Sequence, residues 1–393
     1  MGENRSLARS GPAILQIVPA LETGGAERST LDIAAALARA GFTALVASAG
    51  GRMVAELEKS GGEWISMSAD TKLPHRLAAN ARRIRNLVGL RNVALVHARS
   101  RAPAWSALWA TRGTAVPFVT TYHGLYTARS PLKRFYNSVM ARGDAVIANS
   151  EWTAQHILME HNFEPKRLVV IPRGVDFARF NTARISQENV RNVRAAWGAT
   201  DGAFVILLPG RLTRLKGQSI LIAALEQLAQ QPSPDPVIAV LAGDAQKRED
   251  YERELRRAIT AARLERSVAM IGHVDDMPTA YLASDVVVSA STQAEGFGRV
   301  AAEASAMGRP VIATDHGGAR ETVLPGISGY LTRPGDPNAL ARALRNVIAQ
   351  GPEGRAAMGA QGQAHIARHF TIERMTGDTI ALYRELIAHA ARR

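Results

Sequence analysis

Short apolar runs recur along this chain at intervals that leave room for one amphipathic helix between each pair, and that spacing limits the possible folds more than any single motif does. The runs Ile14–Val18, Ala44–Ala47, Trp64–Met67, Val93–Val96, Phe118–Thr121 and Ala145–Ala148 read as strands. Between them, Ala26–Arg39, His75–Leu90 and Pro131–Met140 carry apolar residues at helical spacing. Strands covered by helices on both faces are apolar throughout rather than alternating, so the pattern predicts a parallel sheet of six strands. A second series follows, with strands over Phe204–Leu208, Val237–Leu241, Val268–Ile271, Val286–Val288 and Val311–Ala313. Its helices are Gln218–Leu228, Tyr251–Ala262 and Val300–Met307.

The expected fold class is therefore α/β, with two Rossmann-like doubly wound domains facing across a cleft. The first is placed at residues 12–185 and the second at 200–370. The polar stretch Phe180–Gly202, with its charged helix-like piece Gln187–Trp197, is taken as the linker. After Gly329–Thr332 the pattern is helical through Pro337–Ile348, Ala356–His369 and Ile372–Ala390, and 371–393 is expected to be a helix returning to the first domain. No fixed-period repeat supports a solenoid or propeller.

Composition narrows the chemistry. With 46% hydrophobic and 21% charged residues the chain has a folded balance, which excludes wholesale disorder. The absence of cysteine removes disulfides, thiolate nucleophiles and Cys-based zinc or iron–sulfur sites. A net charge of +13 points to anionic partners: nucleic acid, acidic lipid or nucleotide phosphate. Residues 1–190 hold 24 Lys and Arg against 14 Asp and Glu, whereas 191–393 hold 24 against 21, so the two halves are expected to face different partners. No run approaches the roughly 20 apolar residues that span a bilayer, and Met1 to Gly11 has no apolar signal core, so a cytoplasmic location is expected.

Glu295-Gly296-Phe297-Gly298-Arg299-Val300-Ala301-Ala302-Glu303 is the most informative stretch. A helix opening near Gly298 places Glu295 before its N-terminus and Glu303 in its second turn, with free backbone N–H groups between them. Glycines admit a close ligand, the helix terminus favours phosphate, and each carboxylate accepts from vicinal hydroxyls, an arrangement suited to a sugar diphosphate. Eight helical residues span about 12 Å, beyond the roughly 5–9.5 Å of glycosidase carboxyl pairs. Taken alone, the stretch has a plain counterpart in a charged helix face with a glycine turn.

Pro209-Gly210-Arg211-Leu212-Thr213-Arg214-Leu215-Lys216-Gly217 follows a predicted strand, and Arg211 with Lys216 can neutralise a departing diphosphate. A solvated basic turn is the alternative. In the first half, Thr23-Gly24-Gly25-Ala26-Glu27-Arg28 sits after the first strand but lacks the G-x-G-x-x-G spacing of a dinucleotide site, so Gly24 and Gly25 are read as backbone donors toward a phosphate. His123, in Thr120-Thr121-Tyr122-His123-Gly124, also follows a strand and is a candidate to bind or polarise a sugar. No H-E-x-x-H or phosphate-loop motif is present.

Together these residues resemble the retaining glycosyltransferase family four, the group 1 glycosyltransferases, over nearly the whole chain. Gly210-Arg211-Leu212 with Lys216-Gly217, Ala242-Gly243-Asp244, Glu295-Gly296-Phe297-Gly298 with Glu303, and Gly317-Gly318 with Glu321 carry the likeness in the second half. Gly24-Gly25, Thr121-Tyr122-His123-Gly124, Asn149-Ser150 and Pro172-Arg173-Gly174-Val175-Asp176 carry it in the first. The resemblance implies a GT-B architecture, an acceptor-binding first domain and a second domain that holds a nucleotide-sugar donor, with neither metal nor cofactor. It makes His123, Arg211, Lys216 and Glu295 the catalytic residues, and Gly24, Gly25, Gly296, Phe297, Gly298 and Glu303 the donor-binding ones. Arg211 and Lys216 would stabilise the leaving diphosphate, Glu295 would hold sugar hydroxyls, Glu303 the ribose and His123 the transferred hexose. Arg173 stands where many relatives have Asn, and Ser289-Ala290-Ser291 replaces their commoner Pro-Ser.

The expected activity is anomer-retaining hexosyl transfer to a glycan or lipid-linked glycan acceptor in envelope or extracellular polysaccharide assembly. A GT-B sugar-nucleotide epimerase or phosphorylase is the nearest enzyme alternative. A nucleic-acid-binding role lacks any helix-turn-helix, zinc-finger or stacking-aromatic motif. Arg82, Arg83, Arg85 and Arg91 beside Leu77, Ile84 and Leu87, and Lys133 and Arg134 beside Leu132, Phe135 and Val139, suggest peripheral contact with an anionic membrane, against the plainer reading of solvated helix faces.

Overall fold

A computed structural model of the chain describes residues 11–22, 24–128, 130–161, 163–199, 201–230, 235–246 and 248–392. Thr23 and most of the leader therefore lie outside the described residues. The chain divides into two compact units, formed by the described residues of Met1–Arg173 with Ile372–Arg393 and by those of Gly174–Thr371.

The first unit is built on seven strands: β1 (Ala13–Ile17), β2 (Thr43–Ser48), β3 (Glu63–Ser66), β4 (Val93–Ala98), β5 (Phe118–Tyr122), β6 (Ala145–Ala148) and β7 (Leu168–Val170). They lie in the order β3-β2-β1-β4-β5-β6-β7, every pair parallel. Strand β7 exceeds the six expected; with three residues, all only part-buried, it carries too weak an apolar signal to stand out. The second unit has β8 (Phe204–Pro209), β9 (Val237–Ala242), β10 (Val268–Gly272), β11 (Val286–Ser289), β12 (Val311–Thr314) and β13 (Gly329–Thr332). Its order is β10-β9-β8-β11-β12-β13, again parallel throughout.

The order in which strands are added reverses once in each sheet, between β1 and β4 and between β8 and β11. Loops leaving the carboxyl ends of those neighbours run to opposite sides and open a crevice, where doubly wound sheets place their ligands. Apolar burial holds each sheet flat against its helices: β1 and β8 are buried at every residue.

Two boundary expectations are corrected. The stretch Phe180–Gly202 is not a linker: the helix Gln187–Ala196 belongs to the second unit, where Val190 and Trp197 are buried in the core that also holds Val175 and Phe180. The apolar side of that helix was hidden by its polarity, since six of its ten residues are Gln, Glu, Asn or Arg. The first boundary accordingly falls at Arg173/Gly174 rather than at 185.

The helix Ile372–Ala390 buries Met375, Ile380, Leu382, Tyr383 and Leu386 in the same core as Ile14, Leu37 and Leu95 of the first unit. A cavity at a fully packed Leu costs about 2–5 kcal/mol, while truncating an exposed one changes little, about 0.5 kcal/mol or less. Leu382→Ala should therefore lower the urea midpoint of the chain clearly, and Leu90→Ala, at a side chain 83% exposed, should not. Equal midpoints for the two variants would contradict the docking of this helix.

Candidate functional site

Each unit gathers polar side chains at the reversal point of its sheet. In the second, the loop after β8 ends in a 3-10 turn, Arg214–Lys216, and the neighbouring strand β11 leads into Ala290–Gly298. Lys216 Nζ donates to Glu295 Oε1 at 2.7 Å, and the Ser291 hydroxyl donates to the same oxygen. Burial by itself would raise the Glu295 carboxyl, but the charge and hydrogen bond of Lys216, the Ser291 hydroxyl and the nearby His316 together hold it below the ordinary carboxylate value. The group is thus an ionised acceptor at neutral pH.

The turn that carries Glu295 is backed by Gly317-Gly318. Gly318 N donates to the Glu295 carbonyl at 2.9 Å, and Gly317 has φ +64°, with a notional Cβ only 2.2 Å from that carbonyl oxygen. Only glycine combines that conformation with that approach. The helix Arg299–Ala306 begins after Gly298, so Glu303 lies in its second turn as expected. Its carboxylate accepts from the Tyr281 hydroxyl at 3.0 Å and from Arg299 Nε at 3.1 Å. Burial and the Glu303 charge push the Tyr281 phenol well above its ordinary value, so it acts as a donor.

One expected site side chain faces the core. The Phe297 ring is 4% exposed and packs edge-on against Phe370 at 5.6 Å, so the side chain is core packing, not a ligand contact. Its position in a glycine-rich loop concealed that, because the partner lies far along the sequence. Arg211 is exposed and lines a recess with Lys216, Arg214, Arg248 and Tyr251, but no hydrogen bond or ion pair joins it to Glu295. Lys216 and Glu295 are brought together; Arg211 reaches only the Lys216 side. Arg214 is engaged otherwise, paired with Glu254 at 2.6 Å and lying over the Tyr251 ring.

In the first unit, Arg99 follows β4 directly, Gly24-Gly25 opens the helix Gly25–Arg39 after β1, and His123 follows β5. Arg99 is 2% exposed, and its guanidinium donates to Gln16 Oε1 from Nε at 3.1 Å and from Nη2 at 2.6 Å. Its Nη1 makes a long contact of 3.4 Å with His123 Nε2. An Arg can only donate, so Nε2 is the acceptor, and the proton of the neutral ring sits on Nδ1. Burial, reinforced by the charges of Arg173 and Arg99, holds the His123 imidazole well below its ordinary value and so keeps it neutral.

Arg173 reaches back to Ser29 Oγ from Nε at 3.1 Å and from Nη2 at 2.8 Å, and its guanidinium lies over Gly25, where a Cβ would meet Nη1 at 2.4 Å. The Glu27 carboxylate lies beside Gly24 at the start of the same helix. Behind Arg99, His97 bonds the Tyr383 hydroxyl through Nδ1 and Thr121 Oγ1 through Nε2 at 2.7 Å, tying the helix Ile372–Ala390 to β4 and β5. Arg99, Gln16, Tyr281 and His316 were not singled out in the sequence. Arg99 alone had a usable signal, its place at the carboxyl end of a reversal-point strand. Among the described residues no three His, Asp or Glu side chains cluster as metal ligands, and no helix is long and apolar enough to cross a membrane.

His97, His123, His156 and His161 all lie below the ordinary imidazole value of 6.5, burial being the first cause in each. Each is neutral when folded and takes up a proton when exposed, so the unfolded chain binds more protons below about pH 6.5. Stability is then complete above that value and declines as the pH falls. The urea midpoint should be lower at about pH 5.5 than at about pH 7.5, with a smaller difference in His97→Gln. A wild-type midpoint independent of pH over that range would exclude these buried neutral rings.

Comparison with known proteins follows the same two-part division. The family described as Glycosyl transferases group 1 matches residues 189–365, and Glycosyltransferase Family 4 matches 23–179. A crystal structure of a glycosyltransferase from Rickettsia africae superposes with a TM-score of 0.88 at 31% identity, covering 96% of this chain and 99% of that one. Anabaena HepE in complex with UDP gives a TM-score of 0.82 at 27% identity, over 95% of this chain and 100% of that one. A D-inositol 3-phosphate glycosyltransferase of Salinispora tropica is 31% identical over 256 residues, 64% of this chain and 52% of that protein. The chain spans about half the length of the curated relatives it matches.

Proposed function

Because the chain belongs to the group 1 glycosyltransferases, we propose that it moves a hexosyl unit from a nucleotide-diphosphate sugar to a hydroxyl acceptor with retention of anomeric configuration. The observation that carries this reading is the Lys216–Glu295 pair. It holds a cation and an ionised carboxylate side by side at the reversal point of the second sheet. Lys216 is assigned the diphosphate, with Arg211 beside it in the same recess supplying further charge and no metal or cofactor required. Glu295 is assigned the sugar hydroxyls. Glu303, fixed by Tyr281 and Arg299, is assigned the ribose, and Gly296 and Gly298 leave the loop before the Arg299–Ala306 helix open to a ligand. In the first unit, the His123 Nδ1–H is assigned a hydroxyl of the transferred hexose, and Gly24-Gly25 the approach of a phosphate.

UDP-glucose is the first donor to test, since HepE has been crystallised with it. The acceptor is read as a glycan or lipid-linked glycan of envelope or extracellular polysaccharide assembly, while several relatives carry the name D-inositol 3-phosphate glycosyltransferase. Membrane docking on the cytoplasmic side is supported by Leu132 and Phe135, which are 79% and 57% exposed on the helix Pro131–Ser138 beside Lys133 and Arg134.

Glu295→Gln and Lys216→Ala should each reduce transfer by roughly 100-fold or more while leaving the chain folded by circular dichroism, since a lost electrostatic contact to the reacting group has effects of that size. Label transfer from UDP-glucose and other nucleotide sugars into membrane extract, with product analysis, is the measurement. Wild-type turnover by either variant would remove that residue's role, and free epimerised nucleotide sugar as the product would favour an epimerase. For the membrane, sedimentation with anionic vesicles should retain the wild type and release Leu132→Ser/Phe135→Ser. No retention of the wild type would remove docking.

A further inference from the structure

The recess on the Lys216 side of the second unit extends one strand beyond the reversal point, toward β9. It has a volume of 540 Å³, and Arg211, Arg214, Lys216, Arg248, Asp250 and Tyr251 are among its lining residues. Small-molecule sites run from about 300 to 1,000 Å³, so there is room for a diphosphate. Two loops build the recess. One follows β8 and carries Arg211 and Lys216; the other follows β9, the neighbouring strand, and ends at Arg248, which caps the helix Glu249–Ala261. Gly210 N donates to the Ala242 carbonyl at 2.8 Å and Leu212 N to the Asp244 carbonyl at 3.0 Å, so the loops are joined along their backbones. Gln218 Nε2 donates to the Arg211 carbonyl at 3.0 Å and fixes that residue from the other side.

Four cations line this recess, and their partners divide them. Lys216 is paired with Glu295, and Arg214 with Glu254. Arg211 and Arg248 are exposed, and neither forms an ion pair among the described residues. The Arg248 guanidinium makes a long bond of 3.4 Å, from Nη1 to the Ala245 carbonyl of its own loop. Asp250 is the one carboxylate among the described lining residues; its side chain is 96% exposed and already paired with Arg253. Two guanidiniums without anionic partners thus face one recess from two loops, an arrangement completed by an anion with several acceptor oxygens.

We propose that Arg248 is a further binding residue of the donor site, contacting the diphosphate from the β9 side while Arg211 contacts it from the β8 side. Each guanidinium presents a fork of donors, so the two can hold separate pairs of phosphate oxygens, which the point charge of a lysine does not do. The assignment rests on the glycosyltransferase reading above, which supplies the diphosphate. Arg248 reads phosphate, not ribose or base.

Calorimetric titration of the full chain with inorganic pyrophosphate, and separately with UDP, GDP and ADP, tests this, because pyrophosphate has neither ribose nor base. The wild type should bind pyrophosphate, and the nucleotide that binds should compete with it. Arg248→Gln should weaken both about tenfold, the effect of one lost charge-assisted hydrogen bond, with the circular dichroism of the wild type. Arg342→Gln, at an exposed position of the helix Pro337–Ala349 outside the lining, should change neither. Pyrophosphate that does not bind, that binds Arg248→Gln as tightly as wild type, or that is weakened equally by Arg342→Gln would overturn the proposal. So would a loss of nucleotide affinity with pyrophosphate unaffected, which would assign Arg248 to the ribose or base. If a nucleotide binds and is indifferent to Arg248→Gln, only the Arg248 assignment falls. If no nucleoside diphosphate binds the wild type, the glycosyltransferase reading fails, and the Arg248 assignment with it.

Discussion

The ion pair between Lys216 and Glu295 is the contact on which the second unit's chemistry depends. It joins the loop after β8 to the loop after β11, the two neighbours at which the sheet reverses. Removing charges from water costs free energy, and a part-buried pair recovers it only where further hydrogen bonds complete the geometry. Here Ser291 adds one such bond to the carboxylate, and the backbone of Gly318 holds the peptide carbonyl of the same residue. The pair therefore holds the two loops in register before any ligand arrives, which is what a preorganised electrostatic site requires.

The first unit uses the opposite arrangement. Its central cation, Arg99, is bonded to an amide and an imidazole in place of a carboxylate, and its histidines are kept neutral by burial. A donor-rich centre in one unit and a paired cation–carboxylate centre in the other thus present different chemistry at the two reversal points. The excess basic charge of residues 1–190 is partly explained by this centre, through Arg99 and Arg173, and partly by exposed side chains such as Lys133 and Arg134.

The two departures from the family pattern show why local reading stopped short. Arg173, standing where many relatives have Asn, delivers a guanidinium to Ser29 and Gly25, about 150 residues earlier. Ser291 looked like a loss of the Pro-Ser entry, yet its hydroxyl is a direct partner of Glu295. Phe297 shows the converse, a motif residue whose ring serves the core. The helix Gln187–Ala196 was misread for a related reason: its charged face is what the sequence displays, and the buried Val190 is recognisable only beside Val175 and Phe180.

The parallel strands were legible because burial on both faces demands unbroken apolar runs, and the candidate loops were legible because doubly wound sheets place ligands at strand ends. Glu295, Lys216 and His123 follow from those two constraints, which act over a few residues. Which side chains meet was decided by the tertiary structure alone. The contacts of Lys216 with Glu295, Tyr281 with Glu303 and Arg99 with Gln16 join residues 79, 22 and 83 positions apart. Hydrogen bonds and charge depend on distances of a few ångströms and on burial, and a chain sets both only when its strands have taken their order in the sheet.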